Sequence, residues 1–358
     1  MTDLASSWAN AGAVLTVHRW VTVIGSLLLA CMVVLMLCLQ FGATSVGVGT
    51  VATAIAHMVR GVEADSANLG TSEIIMVQIR FPRVLMGFLV GASLAAVGVT
   101  LQALLRNPLA DPYVLGVSSG SALGVSVGIL FGIGSTLMLL PMLPLFGFAG
   151  GLLSLLLIYR LAQSKGRLPI HSLLLAGVIL NAILTAFIMF ITSIMEPNRS
   201  AGLMAWLMGS LTAPNYPALG IFLLYVVFVL AILMHKAQSL NMLTLGEETA
   251  RSLGVETEGI KKQLFALTAL LTGAIVSVSG MIGFVGMVVP HAVRLVIGSD
   301  HRLLLPASAL VGGMFLAVAD TIARTIMAPA EIPVGIVTAL TGGPFFLYLL
   351  LWRKDRML

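Results

Sequence analysis

The longest stretch without a formal charge runs from Pro112 to Tyr159, and Val21–Phe41 and Val84–Leu105 carry none either. An α-helix needs about 20 apolar residues to cross roughly 30 Å of hydrocarbon. The two shorter runs meet that length once each. The long one holds two spans, folded into a hairpin at the Gly132-Ile133-Gly134-Ser135 break. Composition agrees: 59% of the 358 residues are hydrophobic and 9% charged, against about a quarter charged in soluble domains. Such a chain cannot give itself a polar skin, which excludes a soluble enzyme and a disordered or fibrous protein.

Further spans follow at Leu168–Met195, Pro217–Met234 (after a Pro214–Pro217 turn), Gln263–Val285, Leu303–Thr325 and Ile332–Trp352. Met287–Ile297 is too short to cross alone and carries Pro290, His291 and Arg294. With it, the expected fold is an all-α, polytopic membrane bundle of about ten helices. If the helices alternate from an N-terminus inside, 14 of the 19 Lys and Arg fall on the cytosolic side, so both termini are expected there. This divides the chain into a cytoplasmic segment 1–20, one transmembrane domain 21–352 and a cytoplasmic tail 353–358. An N-terminal cleavable signal is not expected.

Gly116, Gly120, Gly124, Gly128 and Gly132 recur every four residues, with Gly87 and Gly91 as a shorter version. Such stripes let neighbouring backbones approach closely in lipid. Close packing is the plain reading; a pore lining is the sharper one. Cys31 and Cys38 share one helical face and read as buried thiols. A net charge of +5 without a basic, aromatic-interleaved stripe does not suit nucleic acid. No Gly-Lys dipeptide is present, so a P-loop cannot be built, and no HExxH or CxxC occurs. Energy for uphill transport would have to come from a partner.

The polar exceptions fall into three groups. Arg80-Phe-Pro-Arg83 precedes the second span, and Arg324 lies one turn beyond Asp320, in reach of an intrahelical ion pair. These residues either snorkel or form a cationic surface for an acidic partner. Arg106-Asn-Pro-Leu-Ala-Asp-Pro112 and Lys165-Gly-Arg-Leu-Pro-Ile-His-Ser172 are either caps and anchors or constrictions of an inner mouth. His235–Lys262 is the longest hydrophilic stretch. Within it Glu247–Leu253 reads as two helical turns, acidic at the start, basic at Arg251 and stopped by Gly254, with a second short helix from Glu256. It either lies on lipid or inserts into a cytosolic protein.

Several segments resemble one family in order and spacing. They are Arg80-Phe-Pro-Arg83, Gly91-Ala, Gln102-Ala-Leu-Leu-Arg-Asn-Pro-Leu-Ala-Asp-Pro112, Leu115-Gly116 and Gly283-Phe-Val-Gly-Met-Val-Val-Pro-His291 through Arg294. Asp300-His-Arg-Leu-Leu-Leu-Pro306, Ala319-Asp320 through Arg324, Glu331-Ile-Pro-Val-Gly335 and Thr338-Ala complete the set. The chain resembles the FecCD-type permeases, membrane subunits of type II ABC importers for ferric siderophores, haem and cobalamin. The resemblance implies ten helices per subunit and a homodimer in the cytoplasmic (inner) membrane. It also implies cytosolic ABC ATPase partners that bind ATP and Mg, and a periplasmic or lipid-anchored binding protein.

By the same resemblance, Arg80, Arg83 and Arg324 would dock that binding protein. Coupling helices at about 246–262 would engage the ATPase through Glu247, Glu248, Ala250, Arg251, Leu253 and Gly254, the small Ala250 and Gly254 letting the turn seat deeply. Asn107 and Leu109, with Ser172 opposite, would form a cytoplasmic gate. No cofactor or resident metal is expected in this chain; the cargo would pass as an intact chelate, a ferric siderophore first, then cobalamin or haem. The alternative is an ion-driven secondary transporter, which requires Asp320 unpaired. A second alternative is a permease-like structural or sensor subunit that no longer transports.

Overall fold

The computed structural model describes residues 15–42, 47, 49, 51, 53, 70–133, 136, 137 and 140–354. Most of segment 1–20, tail residues 355–358, Arg60, and Gly134 and Ser135 of the expected break lie outside those residues.

The helices are α1 (Val17–Gln40), α2 (Thr71–Leu104), α3 (Val117–Leu130), α4 (Met142–Ala162), α5 (Ile170–Ile194), α6 (Pro197–Leu207), α7 (Tyr216–His235), α8 (Ala237–Thr244), α9 (Glu247–Ser252), α10 (Thr257–Ser279), α11 (Val285–Ile297), α12 (His301–Thr325) and α13 (Val334–Lys354). A 3-10 turn, Pro112–Leu115, precedes α3, and two-residue strands Thr136–Leu137 and Leu140–Pro141 pair antiparallel before α4. Among the described residues α1, α2, α4, α5, α7, α10 and α12 are long and apolar enough to span, and α3, α11 and the apolar part of α13 are shorter. These match the ten expected segments one for one.

Helix ends follow local chemistry. Thr16 caps α1 by accepting from the Arg19 amide, Asn215 caps α7 through Ala218, and Glu256 caps α10 through Gly259. Proline follows within the first turn of α6 and α7, where a missing N–H costs nothing. Asp300 caps α12, accepting from the Arg302 amide at 3.0 Å, the Arg302 guanidinium at 2.6 Å and the Asn241 amide at 2.9 Å.

The Arg302 guanidinium, with help from Asn241, holds the Asp300 carboxyl down at about 2, against partial burial. A depressed carboxylate stabilises the fold above its unfolded value of about 4 and loses that contribution only as pH falls toward 2. Asp300→Ala is therefore expected to cost about 1–2 kcal/mol. The drop in thermal midpoint in detergent should be equal at pH 5 and pH 8; a drop that grows across that window contradicts this account.

The middle of the bundle is α2, which packs on α12, α11 and α10. Within its best spanning window 89% of residues are buried, against 17% for α1. Apolar all round, α2 is a core helix of a membrane protein, whereas α1 leaves Leu28, Leu29, Met32 and Val33 on the outside. The second span thus begins earlier than Val84. The helix continues back through a π-turn, Met76–Arg80, to Thr71, so Arg80-Phe-Pro-Arg83 sits inside it instead of ahead of it. Charge marks where hydropathy drops, not where backbone hydrogen bonds stop.

The seventh span also differs from Gln263–Val285. Its helix begins at Thr257, continuous with the short helix expected to run from Glu256 into this span, and stops at Ser279 because Gly280 turns to φ 67°. α11 then has 13 residues, about 20 Å of rise, too little for the bilayer core. The irregular residues 280–284 lie between α10 and α11. Inside a membrane such backbone survives only where protein satisfies it. Here the Ile282 amide donates to the Tyr113 hydroxyl, and the Ser279 carbonyl accepts from Ser210 at 2.9 Å. At the other end of α11, Arg294 donates to Gln102 of α2 at 3.1 Å, which ties the broken helix to the core.

The glycine stripe divides. Gly116 and Gly132 sit in turns with positive φ, while Gly120, Gly124 and Gly128 face α4. A Cβ on Gly124 would overlap the Phe146 carbonyl oxygen, and one on Gly120 would overlap Ser154. Packing is what this stripe does. Both cysteines are buried free thiols.

Candidate functional site

Two polar assemblies stand at opposite ends of the bundle. At the cation-rich end, α2 stops at a tight turn in which Arg106 adopts φ 48°. Asn107 folds the turn by accepting the Leu109 amide at 2.9 Å. Asn107 and Leu109 are exposed side by side. Ser172 sits half-buried in the first turn of α5. The cleft that joins these elements, about 650 Å³, is lined by Arg106, Arg167 and His171, with α9 residues across it; Asn107, Leu109 and Ser172 do not line it. Of the three expected gate residues, Asn107 and Leu109 share the turn after α2, and Ser172 stands on α5.

The stretch expected to couple forms a helix–turn–helix. α9 ends in a pair of bonds from Gly254 to the Arg251 carbonyl and from Val255 to the Ala250 carbonyl, with Gly254 at φ 85°. That is a Schellman stop, which a glycine at this position makes easy. Leu253 is 56% exposed and Gly254 has open space around it. Ala250 is fully buried within this chain. Its small side chain therefore packs α9 against the rest of this chain. Glu248 lines the cleft, and Glu247 and Arg251 turn toward the start of α10.

Composition hid a buried, three-partner residue at this end. Lys261 looks like one more inside cation, yet its side chain is 3% exposed. Its ammonium meets Glu258 at 2.7 Å, Glu247 at 3.1 Å and the Leu168 carbonyl at 3.3 Å. The i,i+3 spacing to Glu258 was readable; the other two partners needed the fold.

At the opposite end, Asp320 of α12 is buried between two guanidiniums. Arg324 meets it at 3.0 Å, the intrahelical pair expected, and Arg83 of α2 also lies at 3.0 Å. Arg83 reaches on to Glu331 at 2.9 Å, and Glu331 is the exposed member, at 54%. Arg80 is buried and donates to the Leu39 and Gln40 carbonyls at 3.1 Å. Each of the three arginines expected to dock a partner thus has internal partners, and Arg83 connects to the exposed rim through Glu331. Glu331 was missed as a site residue although it stands in a quoted motif, because nothing local shows that it reaches α2.

Gly116-Val-Ser-Ser-Gly120 and Gly124-Val-Ser-Val-Gly128 spell the G-x-S-x-G of a nucleophile elbow. They run into and along α3, and Ser126 donates to the Ala122 carbonyl at 2.7 Å. The strained strand-to-helix turn that exposes a nucleophile is not formed.

The profile of the FecCD transport family matches residues 18–352. The chain is 44% identical over 296 residues to the cobalamin import system permease protein BtuC of Halobacterium salinarum, covering 80% of this chain and 76% of the relative. It is 42% identical over 287 residues to the hemin transport system permease protein HmuU of Yersinia pestis, covering 79% and 84%. A solved chain described as a metal-chelate type ABC transporter in an inward-facing conformation superposes with a TM-score of 0.77 at 30% identity, covering 93% of this chain and 99% of that one. A match running through nearly every helix, both polar ends included, makes this chain a member of the FecCD transport family.

Proposed function

We propose that the protein is the permease subunit of an ATP-driven importer in the cytoplasmic membrane. Its cargo is a metal chelate: an iron(III)-siderophore, cobalamin or haem. The observation that carries this is the family match over residues 18–352. The named cargoes of the relatives, cobalamin and hemin, support the cargo class. The permease works as a homodimer with the path at the interface, one cytosolic ABC ATPase on each protomer and a binding protein on the outside. The ATPases bind ATP and Mg, and α9 receives their motion through its exposed Leu253–Gly254 corner. Asn107, Leu109 and Ser172 form the inner gate when two protomers face each other. The chain supplies shape and two alternative arrangements, not bond-making chemistry.

The rival ion-driven transporter needs an intramembrane acid free to titrate. Asp320 is held by two arginines, which speaks against it. For binding-protein docking, the support is position: Arg83 links the buried Asp320 to Glu331, which is exposed at this end of the bundle. A carboxylate on the partner would reach Arg83 first, in competition with Glu331.

The deciding experiment is reconstitution of the permease with its ATPase and binding protein in proteoliposomes. Chelate uptake is expected only with hydrolysable ATP; uptake without the ATPase ends this reading. Arg83→Gln, in a complex that still elutes intact, is expected to weaken binding-protein affinity about tenfold. Unchanged affinity ends the docking role.

A further inference from the structure

We infer that Lys261 is a clasp that makes α9 and the inner end of α5 move as one body; the inference rests on the importer function proposed above. An ammonium has three N–H donors and no acceptor, and here each has an acceptor on a different part of the chain. Glu247 belongs to α9, Glu258 to the first turn of α10, and the Leu168 carbonyl to the strand-like turn that feeds α5. The last contact is doubled. Leu168, itself buried, also donates its amide to the second oxygen of Glu258 at 2.9 Å. Both backbone polar groups of one residue are thus gripped by a single i,i+3 ion pair.

The turn leading to Leu168 is short and stiff. Ser164 and Arg167 exchange backbone hydrogen bonds across Lys165 and Gly166, both at positive φ, and α5 begins at Ile170. No slack separates the grip from the helix. On the far side Arg251 reinforces the joint, donating to Thr257 at 2.8 Å and lying 3.5 Å from Glu258. A push on α9 therefore reaches α5 through charge-assisted bonds centred on one buried ammonium. A lysine suits this node: three donors spread around one compact charge serve three elements, whereas a planar guanidinium favours two parallel acceptors. Lys261 is a positioning residue; it touches no cargo.

The test uses the reconstituted importer with Lys261→Met, Lys261→Arg and Glu258→Gln permeases. Cargo moved per ATP hydrolysed is expected to fall at least tenfold in Lys261→Met and less in Lys261→Arg. A second readout is the distance between spin labels at the exposed Ser252 and His171, with Cys31 and Cys38 replaced. In the parent it should stay constant between nucleotide-free and ATP-bound complexes, and in Lys261→Met it should broaden and change with nucleotide. A parental ratio and distance in assembled Lys261→Met overturn the clasp. If Lys261→Met does not assemble, a less buried partner decides: Glu258 is 21% exposed, and Glu258→Gln is expected to lose at least threefold in cargo per ATP; a parental ratio there overturns the clasp equally. A parent complex that moves cargo without ATP would instead overturn the importer reading, and the clasp with it.

Discussion

Asp320→Ala is expected to leave almost no correctly folded permease. The carboxylate is 2% exposed and meets Arg83 and Arg324 at 3.0 Å each, side chains that are themselves only 12% and 6% exposed. Removing it leaves the buried Arg324 guanidinium without its carboxylate and Arg83 with only the exposed Glu331 at 2.9 Å. Breaking a buried pair from one side costs about 3–5 kcal/mol, because the remaining charge stays buried and unpaired. Here one cation would be stranded and a second left with a single exposed partner, against a typical stability of only about 5–15 kcal/mol. The yield of monodisperse protein in detergent and its thermal midpoint measure this. The same physics gives a rescue. Replacing all three groups together, as Asp320→Leu with Arg83→Met and Arg324→Met, removes the whole buried triad, and such exchanges are often neutral or stabilising. The triple variant is expected to recover folding while losing any docking function. A stable Asp320→Ala permease would show that the guanidiniums find other partners and that the pairing is not what holds α2 to α12 at this end.

Gly98→Ala is expected to be nearly as damaging through sterics alone. A Cβ at position 98 would fall inside the Gly286 carbonyl oxygen, where α2 crosses the first turn of α11. The obstacle is backbone, so no rotamer change can relieve it; the two helices must separate. Overpacking typically costs about 1–3 kcal/mol, and a rigid backbone contact belongs at or above the top of that range. The separation would also stretch the Gln102 bond to the Met287 carbonyl, now 3.2 Å, one turn further along. Gly220→Ala is the control. Nothing lies within 4 Å of a Cβ there in α7, so helix propensity alone applies and a gain of up to about 1 kcal/mol is expected. If both substitutions behave alike in thermal unfolding, close backbone approach is not what these glycines provide.

Much of this protein could be read without coordinates. The scarcity of charge dictated a membrane solvent, and a solvent that cannot hydrogen-bond forces every spanning segment into a helix. Ten apolar segments, the Asp320–Arg324 pair at one helical turn and the Gly254 stop of α9 are local consequences of composition and spacing. So is the placement of close-packing glycines at four-residue intervals. Each depends on residues within a turn or two of one another.

What depended on distant chain was not legible. That Arg83 reaches Asp320 and Glu331, 237 and 248 residues away, follows from α2 lying against α12. The burial of Lys261 comes from packing between the Leu168 turn and α9, although by sequence it is one more cation at a helix start. Ala250 turned inward for the same reason, and the break at Gly280 held because Trp206, Tyr113 and Ser210 were there to receive it. Sequence alone determined the solvent, the helices and the family motifs, because hydropathy and helical spacing act over a few residues. Only the tertiary structure decided which charges are neutralised and which elements move together, because both depend on what the folded chain brings within 3 Å or so, and a charge's burial is a property of its neighbours.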